Sequence, residues 1–372
     1  MPATLILDTV IYRTDNGLFF TCNLDPRMKV LLCLLLPLTF CAGTGYSQVH
    51  KMEYSQILKY DSTYYVSYEK MFTSRFYFSK KYTSLKFRDF GENYNLTYRP
   101  NTTLNMGVGA TYKSFTLNLA YGFGFLNPER GKGDTKYLDL QFHTYTRRFV
   151  IDMFGQFYRG FFLTHNSTNS PNTEYYLRPD LSVNQIGASV QYILNHRKFS
   201  YRASFLQSEW QKKSAGTFIF GLETYGGKIE ADSTIIPTLV NNEEAKRSIT
   251  EVRFFEFGPN AGYAYTLVIK KHFFLTGSAS ISIDFGQNTV FDQTGTVKSS
   301  GVSPNSFFRV FGGYNSSKWA ISVIYVTNSV RLATGSFDRR TVLNTGNFRV
   351  NYVYRFELRG KMKRFLEKVE EG

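Results

Sequence analysis

Residues 103–125 read TLNMGVGATYKSFTLNLAYGFGF, and their spacing decides the fold. Leu104, Met106, Val108, Ala110 and Tyr112 are apolar, with Thr103, Asn105, Gly107, Gly109 and Thr111 between them. After Lys113-Ser114 the pattern resumes. Phe115, Leu117, Leu119, Tyr121, Phe123 and Phe125 form one set; Thr116, Asn118, Ala120, Gly122 and Gly124 form the other. A period of two belongs to a strand, because successive side chains point to opposite faces. Two such runs about a tight turn predict a hairpin. Its apolar face is unusually pure, and its other face is small and polar, unlike a core. A membrane-spanning barrel turns such an apolar face to lipid and the polar one to its lumen.

The same alternation recurs down the chain. Leu138, Leu140 and Phe142 oppose Asp139, Gln141 and His143; Phe149, Ile151 and Met153 oppose Asp152. Tyr201, Ala203 and Phe205 alternate with Arg202, Ser204 and Gln207, and Phe218, Phe220 and Leu222 with Gly221 and Glu223. Phe255, Phe257, Ala261, Tyr263, Tyr265 and Leu267 oppose Glu256, Asn260, Gly262 and Thr266. Leu275, Ala279, Ile281, Ile283 and Phe285 oppose Thr276, Ser278, Ser280, Ser282 and Asp284. The last strand sets Phe348, Val350, Tyr352, Tyr354 and Phe356 against Arg349, Asn351 and Arg355. Pro100 marks a break, edge or bulge, since proline cannot donate to a ladder.

Short turns near residues 113, 147, 196, 270 and 316 alternate with long loops after 125, 163, 286 and 332. Bacterial outer-membrane barrels have short periplasmic turns and long external loops. The expectation is therefore an all-β, antiparallel transmembrane β-barrel of about twelve to fourteen strands. The alternation slips once, around Gln211–Ala215 and the loop after Gly226. Either Lys228–Val240 hides another strand, or 199–225 is one long bent strand. A soluble sandwich also alternates, but its core favours Val, Ile and Leu. Here aromatics gather at strand ends (Tyr112 and Phe115, Phe123 and Phe125, Trp319) and the second face is Ser, Thr, Asn and Gly.

Composition agrees. Of 372 residues, 17% are aromatic and 20% charged, and the mean hydropathy is slightly negative. That suits a barrel, in which half of each strand is polar, and does not suit a helical membrane protein. The formal net charge is +15. No nucleic-acid-binding motif accompanies the excess. A basic lumen or rim and a solvated lysine-rich surface are the readings left.

Met28-Lys29 precedes an apolar run from Val30 to Phe40, about the length of a signal peptide's core and too short to span as a helix. Gly45-Tyr46-Ser47 supplies small residues for cleavage between Ser47 and Gln48. The expected organisation is an over-extension of the start (1–27), a signal peptide (28–47), a periplasmic or plug-like lead-in (48–72), the barrel (73–357) and a charged tail (358–372). Cys22, Cys33 and Cys41 all precede the cut, so the mature chain would have neither disulfides nor thiol chemistry.

Little points to catalysis. There is no phosphate-binding glycine loop, paired-histidine metal motif or nucleophile elbow, so no catalytic residue, cofactor or metal is expected. Of the five histidines, His143 falls on a lumen-facing position. It is the one candidate general base, should the barrel act on lipid. Asp139, Asp152, Arg202, Glu223, Glu256, Asp284, Arg349 and Arg355 are the other charged lumen candidates, and their mixed signs suit internal salt bridges as well as a pore.

Three segments carry a resemblance: Tyr98-Arg-Pro-Asn-Thr-Thr103, Tyr121-Gly-Phe-Gly-Phe-Leu-Asn-Pro128 and Ser208-Glu-Trp-Gln-Lys-Lys-Ser-Ala-Gly216. Together they resemble a family known as domain of unknown function 4421, over roughly Thr63 to Phe356. The resemblance implies an outer-membrane barrel of a Gram-negative bacterium and brings no activity or site residues. Three roles follow as expectations: passage of small polar or anionic solutes, a closed barrel whose external loops bind partners or lipopolysaccharide, or an enzyme at His143. The expected partners are outer-membrane lipid, lipopolysaccharide and the barrel-assembly machinery that reads a terminal aromatic such as Phe356. The oligomeric state is left open.

Overall fold

Runs with a two-residue period become strands, and short turns make consecutive strands antiparallel neighbours. The computed structural model describes residues 6–9, 60–90, 94–112, 115–128, 131–164, 175–236, 248–293, 295–332 and 340–358. These belong to one unit; a second, residues 11–59 and 359–372, lies outside the described residues, and with it the signal peptide and the charged tail.

The strands are β1 (Ile6–Thr9), β2 (Tyr65–Ser67), β3 (Phe72–Phe90), β4 (Tyr94–Arg99), β5 (Asn105–Tyr112), β6 (Phe115–Tyr121), β7 (Lys136–Tyr145) and β8 (Phe149–Leu163). They continue as β9 (Tyr176–Ile193), β10 (Glu209–Gln211), β11 (Ala215–Glu230), β12 (Glu251–Ile269), β13 (Phe273–Asp292), β14 (Gly295–Asn315), β15 (Trp319–Arg331) and β16 (Arg340–Phe356). Fourteen of them form one sheet, and β2 pairs with β10 in a separate two-stranded sheet. Following the ladders from β3 through β16, β15, β14, β13, β12, β11, β9, β8 and β4 returns to β3. The sheet is a closed antiparallel barrel.

The expected count of twelve to fourteen describes the sheet; the closed ring holds ten strands. The difference lies in the founding hairpin. It is β5–β6, with Met106 opposite Tyr121 and Tyr112 opposite Phe115. β3 pairs with β5 over Thr73–Ser79 and with β4 from Leu85 onward. Pro100 stands where the chain leaves one ladder for the other. At the long-loop end β4 reaches β8 directly, at Tyr98–Leu163 and Arg99–Phe162. β5, β6 and β7 thus widen the wall toward the short-turn end. β1, within the stretch expected to precede the true start, pairs with the outer edge of β6.

Burial is inverted relative to a soluble sheet. Ile281 is 65% exposed, whereas its neighbours Ser280 and Ser282 are 3% and 2% exposed. β12 through β15 repeat this alternation. The outside is Phe218, Phe255, Phe285, Ile321, Tyr325 and their like, and the inside is Ser, Thr, Asn and charge. Such a surface is what lipid solvates and water does not. No described helix is long and apolar enough to cross a membrane.

Two expectations need correction. Residues 286–305 do not form a loop: β13 and β14 pair register-true out to Asp292–Gly295, as a hairpin rising beyond the belt. Its residues are mostly Gly, Ser, Thr and Asn, so both faces are polar and the period is hidden. Residues 201–207 are not a strand. Arg202–Leu206 form a π-helical turn, and β11 begins afresh at Ala215. Residues 199–225 are therefore not one bent strand; of Lys228–Val240, Lys228–Glu230 end β11, 231–236 form no strand, and 237–240 lie outside the described residues. The segment between β9 and β11 folds into the lumen instead.

Candidate functional site: the plugged lumen

The plug starts from a simple imbalance. The other described connections at the short-turn end are tight, but the one from Ile193 to Ala215 carries an apolar cluster, Phe199, Tyr201, Ala203 and Phe205, that lipid does not cover. Turned inward, Phe199, Tyr201 and Phe205 meet Tyr145, Ile193, Phe307 and Phe311 from the wall and form a buried cluster. Phe205 packs on Tyr145 at 4.6 Å, His143 at 5.5 Å and Phe311 at 5.7 Å between ring centroids. The Tyr201 hydroxyl donates to Ser278 Oγ at 2.6 Å, and Ser204 Oγ meets Thr276 Oγ1 at 2.6 Å. The helical turn therefore seats on the polar inner face of β13.

Arginines hold it there. The turn ends at Gln207, whose φ of 50° is left-handed, and its carbonyl points back into the barrel. Arg355 Nε donates to that oxygen at 2.8 Å, while Nη1 reaches Ser316 O at 2.6 Å. Arg75 Nη2 donates to Leu206 O at 2.7 Å, and its Nη1 to Asn118 Oδ1 at 3.0 Å. Charge-assisted bonds of this kind are the strong ones. Beyond the turn, β10 pairs with β2, so the lead-in Tyr60–Met71 packs on the plug. Arg202 binds Glu69 at 2.6 Å and lies 3.6 Å from Glu209, which Arg147 also faces at 3.9 Å. Burial pushes the Glu209 carboxyl above its usual value; Arg202 and Arg147 oppose the shift and Glu69 adds to it.

Above the plug the lumen is a packed polar layer. His143 Nδ1 and Asp152 Oδ1 are 2.6 Å apart, and Asp152 Oδ2 accepts from Arg309 Nη2 at 2.5 Å. Arg309 is fully buried and also reaches Gln191 Oε1 at 3.2 Å. Asp139 accepts from Tyr158 at 2.5 Å and Gln156 at 2.9 Å, with Lys81 3.5 Å away. Glu223 accepts from Asn260 at 2.7 Å. Asn305 bridges Glu256 and Asp284, at 3.2 and 2.6 Å. Arg349 lies over the Tyr77 ring at 4.5 Å. A cavity of about 40 Å³ borders His143, Asp152, Ser189, Tyr225 and Asn328. That volume holds a few waters, against roughly 300 Å³ or more for a small-molecule pocket.

The described residues at the long-loop end are packed as well. Ile235 and Ile236 tuck under Leu85, Tyr98, Leu163 and Leu343 in a second buried cluster. The Tyr98 hydroxyl donates to Ile235 O at 2.8 Å, and Arg178 Nη1 donates to Thr234 O at 2.8 Å.

The structure thus joins His143 to Asp152, bridges Glu256 and Asp284 through Asn305, gives Glu223 the Asn260 amide, and gives Arg202 and Arg355 to the plug. No serine, threonine or cysteine shares a hydrogen bond with His143 among the described residues. Nor do three His, Cys, Asp or Glu side chains group to hold a metal among them. Arg309, Arg75 and Glu209 were not singled out from sequence. Arg309 and Arg75 stand between outward-facing apolar or small residues on their strands, so alternation alone places them inside.

A closed barrel with an apolar outside, a charged polar inside and a plug of its own chain defines a membrane-type β-barrel. The chain belongs to the family described as Domain of unknown function (DUF4421), matched over residues 59–356. No curated protein sequence matches it. Among solved structures it is similar to the outer membrane protease OmpT from Escherichia coli, at 11% identity and a TM-score of 0.38, over 78% of this chain and 98% of that one. It is also similar to the translocator domain of the autotransporter NalP from Neisseria meningitidis, at 8% identity and a TM-score of 0.33, over 76% and 88%. A third similarity is to the COG4313 outer membrane channel from Pseudomonas putida F1, at 9% identity and a TM-score of 0.23, over 77% and 96%. None of these likenesses bears on what this chain does.

Proposed function

We propose that the protein is an outer-membrane barrel that rests closed, with the segment Phe199–Gln211 as a periplasmic plug. The grip of Arg355 and Arg75 on two adjacent plug carbonyls carries this reading. A loop that merely filled space would need no such anchors. Short turns and both barrel-terminal strand ends, Phe72 and Phe356, lie at the plugged end and support a periplasmic orientation for it. Passage of small polar or anionic solutes then requires the plug to withdraw. The His143–Asp152–Arg309 chain supports the plug's seat, since the His143 ring packs on Phe205, and this role fits it better than general-base chemistry. Liposome swelling tests the proposal. Vesicles holding the purified chain exclude a small sugar and a small anion, and vesicles holding a variant that lacks residues 200–208 and carries Asp152→Ala, Arg309→Ala, Ile235→Ala and Ile236→Ala, so that the layer and the cluster above the plug are opened too, admit both. Rapid swelling with the unaltered chain contradicts it.

A further inference from the structure

The plugged end carries a basic rim that the anchoring of the plug does not use. Lys198, Lys212 and Lys213 flank the plug, Lys270-Lys271 turn β12 into β13, and Lys318 turns β14 into β15. All but the half-buried Lys212 are exposed. The carboxylates described at this end are Asp61, Glu69, Glu209 and Glu357. Asp61 accepts from Thr63, Glu69 takes Arg147 and Arg202, and Glu209 is buried within the plug. None of the six lysines forms an ion pair among the described residues. At the long-loop end basic and acidic side chains mix: Lys228 meets Glu230 and Glu251, Arg253 meets Glu251, and Arg159 meets Asp232.

Stacked rings draw these turns into one patch. Trp210 of β10 stacks on His272 at 5.0 Å between centroids, His272 on Tyr314 at 5.2 Å, and Tyr314 on Trp319 at 4.6 Å. Trp210 Nε1 donates to Lys271 O at 2.8 Å, and Lys212 Nζ lies 5.4 Å from the Trp210 ring. Lys198 and Lys213 share the Tyr64 ring, at 5.1 and 5.4 Å. Lys318 precedes Trp319, at the outer end of the stack. The Lys270-Lys271 turn keeps its charge at a conformational cost. Both residues have positive φ, 50° and 64°, and Ile269 O accepts from His272 N at 3.3 Å. Successive positive φ values are what Asn-Gly adopts readily and a lysine pair does not.

We propose that this patch binds the phosphate headgroups of anionic phospholipid in the leaflet at the plugged end. The lysines lie where the lipid-facing wall ends. Phe273 stands just past the Lys270-Lys271 turn and is 53% exposed, Trp319 follows Lys318 and is 38% exposed, and Ile321, 45% exposed, continues the apolar face. A soluble polyanion matches the charge alone. A phospholipid offers a phosphate to the lysines and acyl chains to the rings beside them. The proposal needs the barrel in a bilayer and does not depend on whether the plug moves.

The chain has two tryptophans, Trp210 and Trp319, and both belong to the patch, so their fluorescence reports on it. The full chain is reconstituted in phosphatidylcholine vesicles. Phosphatidylglycerol or phosphatidylcholine with brominated chains, which quench on contact, is then included at equal mole fractions. Brominated phosphatidylglycerol is expected to compete for the patch at least about fivefold better, the advantage of one surface cation, and to lose that advantage in concentrated NaCl. Lys270→Asn, Lys271→Gly and Lys318→Gln together are expected to bring the ratio close to one. Heat-modified migration should still show a folded barrel, since Asn-Gly suits the turn better than two lysines. Equal quenching by both lipids in the unaltered chain overturns the site. So does a preference that survives concentrated salt, or one that the folded triple variant keeps in full. A soluble polyphosphate that shifts the fluorescence where the two lipids quench alike would also overturn it, in favour of a soluble partner.

Discussion

Arg355 and Gln207 are 148 residues apart in the chain and share a hydrogen bond of 2.8 Å, from the last barrel strand to the tip of the plug. The same guanidinium reaches Asn315 Oδ1 at 2.8 Å and lies 4.8 Å from the Tyr68 ring. One side chain therefore ties the barrel's end, its β14–β15 turn, its lead-in and its plug together. Arg355→Ala combined with Arg75→Ala is expected to free the plug while leaving the barrel folded, because the strands' own ladders are untouched. Heat-modified migration on gels reports folding, and protease nicking between Phe199 and Gln211 reports plug release. An unchanged nicking rate in the double variant counts against the arginine grip.

The plug can be locked as well as freed. Ser204 Oγ and Thr276 Oγ1 stand 2.6 Å apart, so cysteines at both positions are expected to form a disulfide. The residues after Ser47 contain no competing cysteine. In the Arg75→Ala, Arg355→Ala background, this pair should restore protection from nicking, and reductant should remove it. Protection that ignores reductant contradicts the seating of Ser204 on β13.

Acid should tighten the plug. Burial raises the Glu209 carboxyl above its ordinary 4.5 when the plug is seated, and a withdrawn plug returns it to water. The seated state therefore holds its proton to higher pH. Its advantage is complete below the ordinary value and fades as pH rises through the raised one. Fluorescence of neighbouring Trp210, or nicking, should show firmer seating at mildly acid pH than at neutral pH. Glu209→Gln should flatten that dependence, although Arg147, Arg202 and Glu69 remain around it. A dependence of opposite sign contradicts the account.

The buried pair at 2.5 Å, Asp152 and Arg309, is expected to couple strongly. Asp152→Asn or Arg309→Met alone strands a charge in the lumen and costs about 3–5 kcal/mol. The double variant should cost clearly less than the two together. Urea unfolding in detergent measures all three, and additive losses would mean that the pair is not coupled.

Wall curvature gives a fifth check. A Cβ on Gly221 would lie 1.9 Å from Val190 O, whereas one on Gly277 meets nothing within 4 Å. Gly221→Ala should cost about 3 kcal/mol by forcing β9 and β11 apart. Gly277→Ala should stay within about 0.5 kcal/mol. Equal effects would place the close approach elsewhere.

The strand faces were legible from sequence because lipid enforces them. Ile281, Ile283 and Phe285 have no other place to be, and Ser280, Ser282 and Asp284 follow by elimination. The plug was not legible. Tyr201, Ala203 and Phe205 alternate as a lipid-facing strand would, and only the wall residues they meet, Tyr145 and Phe311, distinguish packing from lipid contact. The hairpin at 286–305 was missed for the opposite reason: it rises past the apolar belt and needs no apolar face. Inward charges such as Asp152 and Arg355 could be placed by alternation, but their partners come from strands far apart in sequence, and no local spacing encodes those pairings.

Conductance across a planar bilayer tests the closed resting state most directly. The purified, full chain is predicted to give no steps above background, and the variant lacking residues 200–208 with Asp152→Ala, Arg309→Ala, Ile235→Ala and Ile236→Ala to give discrete, stable steps under the same voltage. Steady conductance from the unaltered chain, persisting when the cysteine pair at 204 and 276 locks the plug in place, would contradict the account.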